Sequence, residues 1–230
     1  TLAIGTELLL GETVDPNTAV IARALRSVGF ELYRTTIVGD NAERIAQAVR
    51  EALGRSDAVI TTGGLGPTVD DASRQGVALA VNVPTEFRPE LWEQIQERFS
   101  RYGRTPTENN RQQAMIPAGA LAVENPVGTA PAFIVETATS AVISLPGVPG
   151  EMAYLLESAV LPYLRRRLGL HALIKSRVIR TAGTGESWLD ERVADLERLP
   201  NPTVGLSAHP GQVDVRITAK ADSEAEADRM

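Results

Sequence analysis

Thr61-Thr62-Gly63-Gly64-Leu65-Gly66-Pro67-Thr68-Val69-Asp70-Asp71 gathers glycines, threonines and two adjacent carboxylates in one short stretch. Glycine tolerates positive φ and lets a ligand approach the backbone. Successive N–H groups in such a turn can point at an anion. Carboxylates beside that cradle suit a divalent ion, because Mg²⁺ is usually held by one or two carboxylates together with substrate phosphates. The chemistry on offer is phosphate binding with a metal alongside. Gly63, Gly64 and Gly66 are the expected phosphate contacts, with Thr62 and Thr68 flanking them. Asp70 and Asp71 are the candidates for metal ligand or general base. Neighbouring positions at a helix start do not face the same way, so one aspartate is expected in the site and the other in support. Taken singly, each also reads as a first-turn acid favoured by the helix dipole. The loop is neither the six-residue dinucleotide fingerprint nor a Walker A loop, since no Gly-Lys-Ser/Thr follows.

The flanking patterns say what positions this loop. Ala58-Val59-Ile60 reads as a buried strand leading in, and Ala72 to Ala80 as a helix leading out. Leu2-Ala3-Ile4 reads as the end of a first strand, followed by Gly5-Thr6-Glu7. Asp15-Pro16-Asn17-Thr18 is a turn and helix start, after which Val20, Ile21, Ala24, Leu25 and Val28 recur at helical spacing up to Gly29. Leu32 to Val38 predicts a strand, and Asp40-Asn41-Ala42-Glu43 opens a helix carrying Ile45, Val49 and Leu53. Strands alternating with such helices predict an α/β fold with a mostly parallel sheet. In open sheets of this kind ligands sit outside the carboxyl ends of the strands, at a switch in strand order. Gly5, Thr6 and Glu7 are therefore expected to share a crevice with the glycine loop. Glu7 reads either as a helix-start carboxylate or as a ligand or second metal contact.

Further along, Pro89 to Tyr102 predicts an amphipathic helix whose Trp92 and Phe99 belong to the core. A short strand, Leu121 to Glu124, precedes the turn-rich Asn125 to Pro131. Phe133 to Val135 and Ala141 to Leu145 are two more strands. Pro146 to Glu151 then opens a helix from Met152 to Arg167. At strand ends, Asn125, Gly128, Pro146, Gly147 and Glu151 are candidate walls of the same crevice, with Glu151 a further candidate metal ligand; each segment also reads as a plain loop. Past Gly169 the pattern changes: a strand at Ile174 to Thr181, a helix at Glu186 to Glu197, a hairpin of Thr203 to Ser207 with Val213 to Ala219, and a last helix near Ser223. The expected division is a site domain at 1–168 and a small α+β domain at 169–230. His171 and His209 stand alone and read as surface or satisfied side chains.

Composition removes several classes. The 230 residues contain no cysteine, which excludes disulfides and thiolate metal sites and fits a reducing, cytoplasmic setting. No apolar run approaches the roughly 18–20 residues of a membrane span. The net charge is −6, and Arg165-Arg166-Arg167 reads as the cationic last turn of a helix, so nucleic acid is not an expected partner. Residues 170–230 hold 8 Lys and Arg against 10 Asp and Glu, which argues the same way. The chain starts without Met and stops inside a helix-like pattern, and both ends read as cuts in a longer protein.

Ala3 to Gly11, Thr61 to Asp71, Asn125 to Pro131 and Leu145 to Glu151 together resemble, in order, the competence/damage-inducible protein A (CinA) family. The resemblance implies an amino-terminal molybdopterin-binding (MoaB/MogA-like) domain, a three-layer α/β sandwich, followed by part of a KH-like middle domain. It implies a nucleotide-like or pterin-like ligand at the Gly-Gly loop and following acid, divalent metal and potassium as helpers, and a homodimer. It also implies a carboxy-terminal nicotinamide-nucleotide amidase in many members, absent from this chain. One departure is Ala130-Pro131-Ala132, where the family usually has Pro-Gly; an alanine takes positive φ only at a cost.

On this resemblance the leading expectation is metal-assisted hydrolysis of a nucleoside diphosphate sugar, ADP-ribose being the archetype, to AMP and ribose 5-phosphate. Asp70, Asp71 or Glu7 would hold the ion, and Asp71 would orient or deprotonate the attacking water. The alternative is a module that binds molybdopterin or a nucleotide without chemistry.

Overall fold

A computed structural model describes residues 1–169 and 173–230. The described chain divides into two compact units, Thr1–Ala24 with Leu32–Tyr163, and Leu25–Glu31 with Leu164–Met230. In chain order the first contributes β1 (Leu2–Ile4), α1 (Thr6–Leu9), most of α2 (Asn17–Ser27), β2 (Thr36–Val38), α3 (Ala42–Leu53), β3 (Ala58–Thr62), α4 (Ser73–Ala80), β4 (Thr85–Phe87) and α5 (Pro89–Arg101). A 3₁₀ segment (Glu108–Ala114), β5 (Met115–Pro117), β6 (Leu121–Val123), β7 (Ala132–Glu136), β8 (Ala141–Leu145) and α6 (Pro149–Leu155) follow.

Six strands form one sheet in the order β2-β1-β3-β8-β7-β6. β2, β1, β3 and β8 run parallel, β7 alone opposes them, and β6, antiparallel to β7, shares their direction, so the mostly parallel α/β sheet holds. β1 and β8 are buried along their whole length, as near-continuous apolar strands in the middle of a sheet should be. Asn41 caps α3 by accepting from the Arg44 N–H at 3.0 Å. That helix turns Ile45, Ala46, Val49 and Ala52 inward, following the helical period. Trp92 and Phe99 pack against the same core as Leu91 and Ile95.

Several elements differ from expectation. The strand expected over Leu32 to Val38 shortens to Thr36–Val38, because β2 is an edge strand whose sole neighbour, β1, offers three residues to pair with. The polar stretch after α5 winds into the 3₁₀ segment, whose start is fixed by Thr107 N–H donating to Asn110 Oδ1 at 2.8 Å. β4 and β5 pair as a small antiparallel sheet; three-residue strands are too short to show alternation. α6 begins three residues ahead of Met152 with Pro149 in its first turn, where proline is pre-organised. It continues through a π segment (Leu156–Val160) into α7 (Leu161–Leu168). Ala132 opens β7, and the sole described non-glycine residue with positive φ is Asn82, so alanine there carries no left-handed strain.

The second unit carries β9 (Leu173–Ala182), α8 (Glu186–Glu197), β10 (Thr203–His209), β11 (Gln212–Ala221) and α9 (Glu224–Arg229). Its antiparallel sheet has the order β10-β11-β9. Leu189 of α8 packs on Val213 and Val215, and Ala227 of α9 on Ala219 and Ala221. The hairpin strands extend to His209 and Gln212, leaving a two-residue turn in which Gly211 has φ +74°. His209 is exposed, its Nε2 3.6 Å from Asp214 Oδ2; His171 lies outside the described residues. Among the described residues no helix is long and apolar enough to cross a membrane.

Candidate ligand-binding site

The chain leaves β1 for β2 on one side and returns to β3 on the other, so strand order switches between β1 and β3. Ala3 pairs with Thr62, and Thr62 with Leu145, which brings the carboxyl ends of β1, β3 and β8 level. β7 runs the other way and β6, antiparallel to β7, returns to the common direction, with Val123 opposite Ala132 and Phe133 opposite Ser144. Residues 124–131 therefore emerge at the same edge. Four loops meet there, where ligands of open α/β sheets sit.

The glycine loop is specified by close approach. Gly63 has φ +102° and donates to Leu145 O at 3.1 Å, and a Cβ on it would collide with Ile4 O. Gly64 has φ +65°, and a Cβ there would strike Ser73 Oγ, which donates to Gly63 O at 2.7 Å. Gly147 runs so near that its Cβ would lie 3.2 Å from Gly63 Cα. Gln112 of the 3₁₀ segment braces the far side, donating to Thr68 O at 2.8 Å.

Asp71 lies inside this loop rather than facing the crevice. Its Oδ1 accepts from the Gly66 N–H at 2.7 Å, and its Oδ2 from the N–H and the hydroxyl of Thr68, each at 2.7 Å. Both oxygens are thus committed, against the expectation that Asp71 orients a water. Asp70 is exposed and makes no side-chain hydrogen bond among the described residues. The supporting aspartate is Asp71 and the outward one Asp70. Gly66 and Thr68 spend their N–H groups on Asp71, so the cradle is narrower than the sequence suggests. The N–H groups of Gly64 and Leu65 have no partner among the described residues.

Two residues outside the expected set complete the architecture. Arg74, in the first turn of α4, is 4% exposed. It donates to Leu65 O and, at 3.2 Å, to Gly66 O, while its Nε is buried with no partner among the described residues. Burial lowers its pKa to about 10 and the nearby Asp71 charge raises it, so it remains a cation at neutral pH beneath the loop. Asn17 is also 4% exposed. Its Nδ2 donates to Thr62 Oγ1 at 2.9 Å and to Gly147 O at 2.8 Å. Thr62 in turn donates to Pro146 O at 3.1 Å. One amide therefore ties the starts of α2 and the third loop to the end of β3. Asp15 holds that helix start, accepting from the Asn17 and Thr18 N–H groups at 2.9 and 3.2 Å. The sequence signals were faint: Asp-Pro-Asn-Thr reads as a cap and turn, and Arg74 as one charge in a short Ala-rich helix.

The remaining candidates form two side knots. Gly5 donates to Val38 O at 3.0 Å. Thr6 is bound to Asp40, its N–H donating to Oδ2 at 2.7 Å and its hydroxyl accepting from the Asp40 N–H at 3.1 Å. The Glu7 carboxylate folds back on Gly5, where a Cβ would lie 2.5 Å from it. On the other side Asn125 donates to Ala130 O at 2.9 Å and to Glu151 Oε2 at 2.5 Å, and Gly128 passes so close to Glu151 that a Cβ would overlap its carboxylate. Burial pushes the Glu151 carboxyl above its ordinary range, while the Asn125 hydrogen bond and the Arg98 charge pull it down. Among the described residues no three Asp, Glu or His side chains converge as metal ligands. The expected set of Asp70, Asp71, Glu7 and Glu151 is therefore not one cage: Asp71 is spent on its own loop and Glu151 on Asn125.

Residues 1–166 match the family described as a probable molybdopterin binding domain, which agrees with the switch-point crevice and its glycine loop. Residues 176–230 match the damage-inducible protein CinA KH domain. The chain belongs to the CinA family. It is 46% identical over 223 residues to a CinA-like protein of Parasynechococcus marenigrum, covering 96% of this chain and 53% of that protein. It is 40% identical over 219 residues to a putative competence-damage inducible protein of Halothermothrix orenii, covering 95% and 52%. The chain thus spans about half the length of these curated relatives. Among solved structures it is similar to CinA of Thermoplasma acidophilum, a protein described as of unknown function, with a TM-score of 0.65 and 36% identity over 70% of this chain and 94% of that one. It shares the fold of the molybdopterin biosynthesis enzyme MoaB of Thermus thermophilus, with a TM-score of 0.50 and 22% identity over 74% and 92%.

These relatives overturn the expected ADP-ribose hydrolysis. They are described as CinA-like and competence-damage inducible proteins, and the matching family as a probable molybdopterin binding domain; none is described for cleavage of a nucleoside diphosphate sugar. The geometry agrees, since the residue chosen to activate water is the internal brace of the loop.

Proposed function

We propose that this crevice is a binding module for a phosphorylated small molecule of pterin or nucleotide type, the role carried by the molybdopterin-binding fold, within a longer protein. The observation that carries the reading is the pair of uncommitted N–H groups at Gly64 and Leu65, set over the buried Arg74 cation. Positive φ at Gly64 and adjacent free donors make a small anion concavity. Thr62, Gly147 and Asn17 form its wall. The described residues do not fit a protein-built metal cage, so no metal step enters this reading; divalent and potassium ions would reach the crevice with the ligand's phosphates. The homodimer implied by the family resemblance stays part of the proposal and is read by sedimentation.

Calorimetry tests the module with a phosphorylated pterin and a nucleoside monophosphate, each against its unphosphorylated counterpart. Binding that depends on the phosphate, and that G64A abolishes without unfolding the protein, is the expected result. Equal binding of the unphosphorylated compounds, or binding untouched by G64A, would sink it.

A further inference from the structure

We propose that Arg74 is a specificity-determining residue that makes the glycine loop prefer a phosphate monoester dianion to a singly charged phosphodiester. The inference rests on the reading of the loop as a phosphate cradle and goes beyond it by naming the ligand's charge state and the residue that sets it.

A buried guanidinium is costly to keep. Replacing a buried charge by apolar groups of similar size is often neutral or stabilising, and a buried polar group without a partner carries a penalty of its own. Arg74 bears both costs. It is 4% exposed, and among the described residues its Nε has no partner and it forms no ion pair within hydrogen-bonding reach; its two terminal nitrogens are spent on the neutral carbonyls of Leu65 and Gly66. Packing alone does not ask for this, since α4 already buries Val77 and Ala78. The carbonyls that Arg74 holds belong to the peptide units that follow Leu65 and Gly66, so the arginine pins the loop from beneath on its oxygen side. The same short loop carries the free N–H groups at Gly64 and Leu65, so a buried positive charge is held next to the peptide units that could meet an anion.

Asp71 offsets this charge in part, and it does so on the Gly66 and Thr68 N–H groups. The Gly64 and Leu65 N–H groups, which Asp71 does not take, are the ones left for a ligand to meet that charge. In a poorly screened site a second negative charge on the ligand gains more than it would in water. Hydrogen-bond geometry alone does not distinguish a monoester from a diester so strongly, because both present the same non-bridging oxygens to two N–H donors.

The test separates charge from shape. R74K keeps the cation and loses the fork, whereas R74Q keeps a donor and loses the cation. Affinities for adenosine 5′-monophosphate and for its methyl phosphodiester are measured by calorimetry above pH 7, with thermal melts to verify that each variant is folded. The wild type is expected to favour the monoester by about tenfold, R74K to retain most of that ratio at lower affinity, and R74Q to bring it near one. R74Q with the wild-type ratio, or R74K without it, would overturn the inference while leaving the cradle reading standing. A wild type that binds neither probe overturns this inference, and calorimetry with the phosphorylated pterin then decides whether the cradle falls with it. If R74Q does not fold, the ratio in R74K decides alone: kept, it supports the charge; lost, it refutes it.

Discussion

Asp71 accepts two hydrogen bonds from Thr68, one from its N–H and one from its hydroxyl, both at 2.7 Å. Its other oxygen takes the Gly66 N–H. Hydrogen bonds to a charged group contribute more than neutral ones, about 1.5–3 kcal/mol. D71N swaps one acceptor for a donor that faces N–H groups, so it is expected to lower unfolding stability by about 2 kcal/mol and to weaken phosphate binding with it. D70N, at an exposed carboxylate with no hydrogen bond among the described residues, is expected to leave the denaturant midpoint where it is. A D71N protein as stable as the wild type would remove the brace from this account.

Gly63 and Gly64 share positive φ but fail differently when given a side chain. Strain at such a conformation costs about 1–3 kcal/mol for a non-glycine residue. G63A adds a collision with Ile4 O, a backbone atom of a buried central strand, which cannot yield. G64A collides with Ser73 Oγ, which a second substitution can remove. G63A is therefore expected to be the more destabilising, and S73A to recover part of the loss in G64A and none in G63A. Thermal melts of the four proteins decide it; recovery of both would show that the two clashes are not distinct.

What was legible in the chain was what repeats or punctuates. The apolar runs at Leu2–Ile4, Ala58–Thr62 and Ala141–Leu145 placed the strands, and the glycines placed the turns, so the crevice could be located. Side-chain direction within a turn has no period, which is why Asp70 and Asp71 could not be told apart by spacing. The tendency of an Asp to bond nearby backbone N–H groups applies to Asp70 and Asp71 alike, so it did not single out the brace, and the metal reading favoured Asp71 as the catalytic one. Asn17 stayed hidden because its partners Thr62 and Gly147 lie 45 and 130 positions away, and its local sequence already had an explanation as a helix start.

Asn17 is expected to act as a joint. Both its amide hydrogens are donated, and the direction is forced: Gly147 O can only accept, and Thr62 spends its own proton on Pro146 O. N17D would set a carboxylate oxygen against Gly147 O, and N17A would leave that carbonyl unpaired. Each should cost about 1–3 kcal/mol. N17A should also weaken phosphate binding, because the third loop is no longer tied to β3. Denaturant unfolding and calorimetry read the two effects separately. An N17D variant that matches the wild type in both would remove Asn17 from the site.

Glu151 supplies the pH dependence. Burial raises its pKa in the folded protein above the ordinary 4.5, so the fold favours the protonated acid. Its contribution to stability is fully present below the unfolded value and is lost as pH rises through the higher folded one. E151Q keeps an oxygen to accept from Asn125 Nδ2 and has nothing to titrate. The two proteins should therefore be closest in stability below pH 4.5, with E151Q gaining on the wild type as pH rises past the folded pKa, after which the gap is constant. Urea midpoints taken across that range give the difference directly. A gap that stays flat, or that opens as pH falls, would mean that the Asn125 hydrogen bond and the Arg98 charge outweigh burial at this carboxylate.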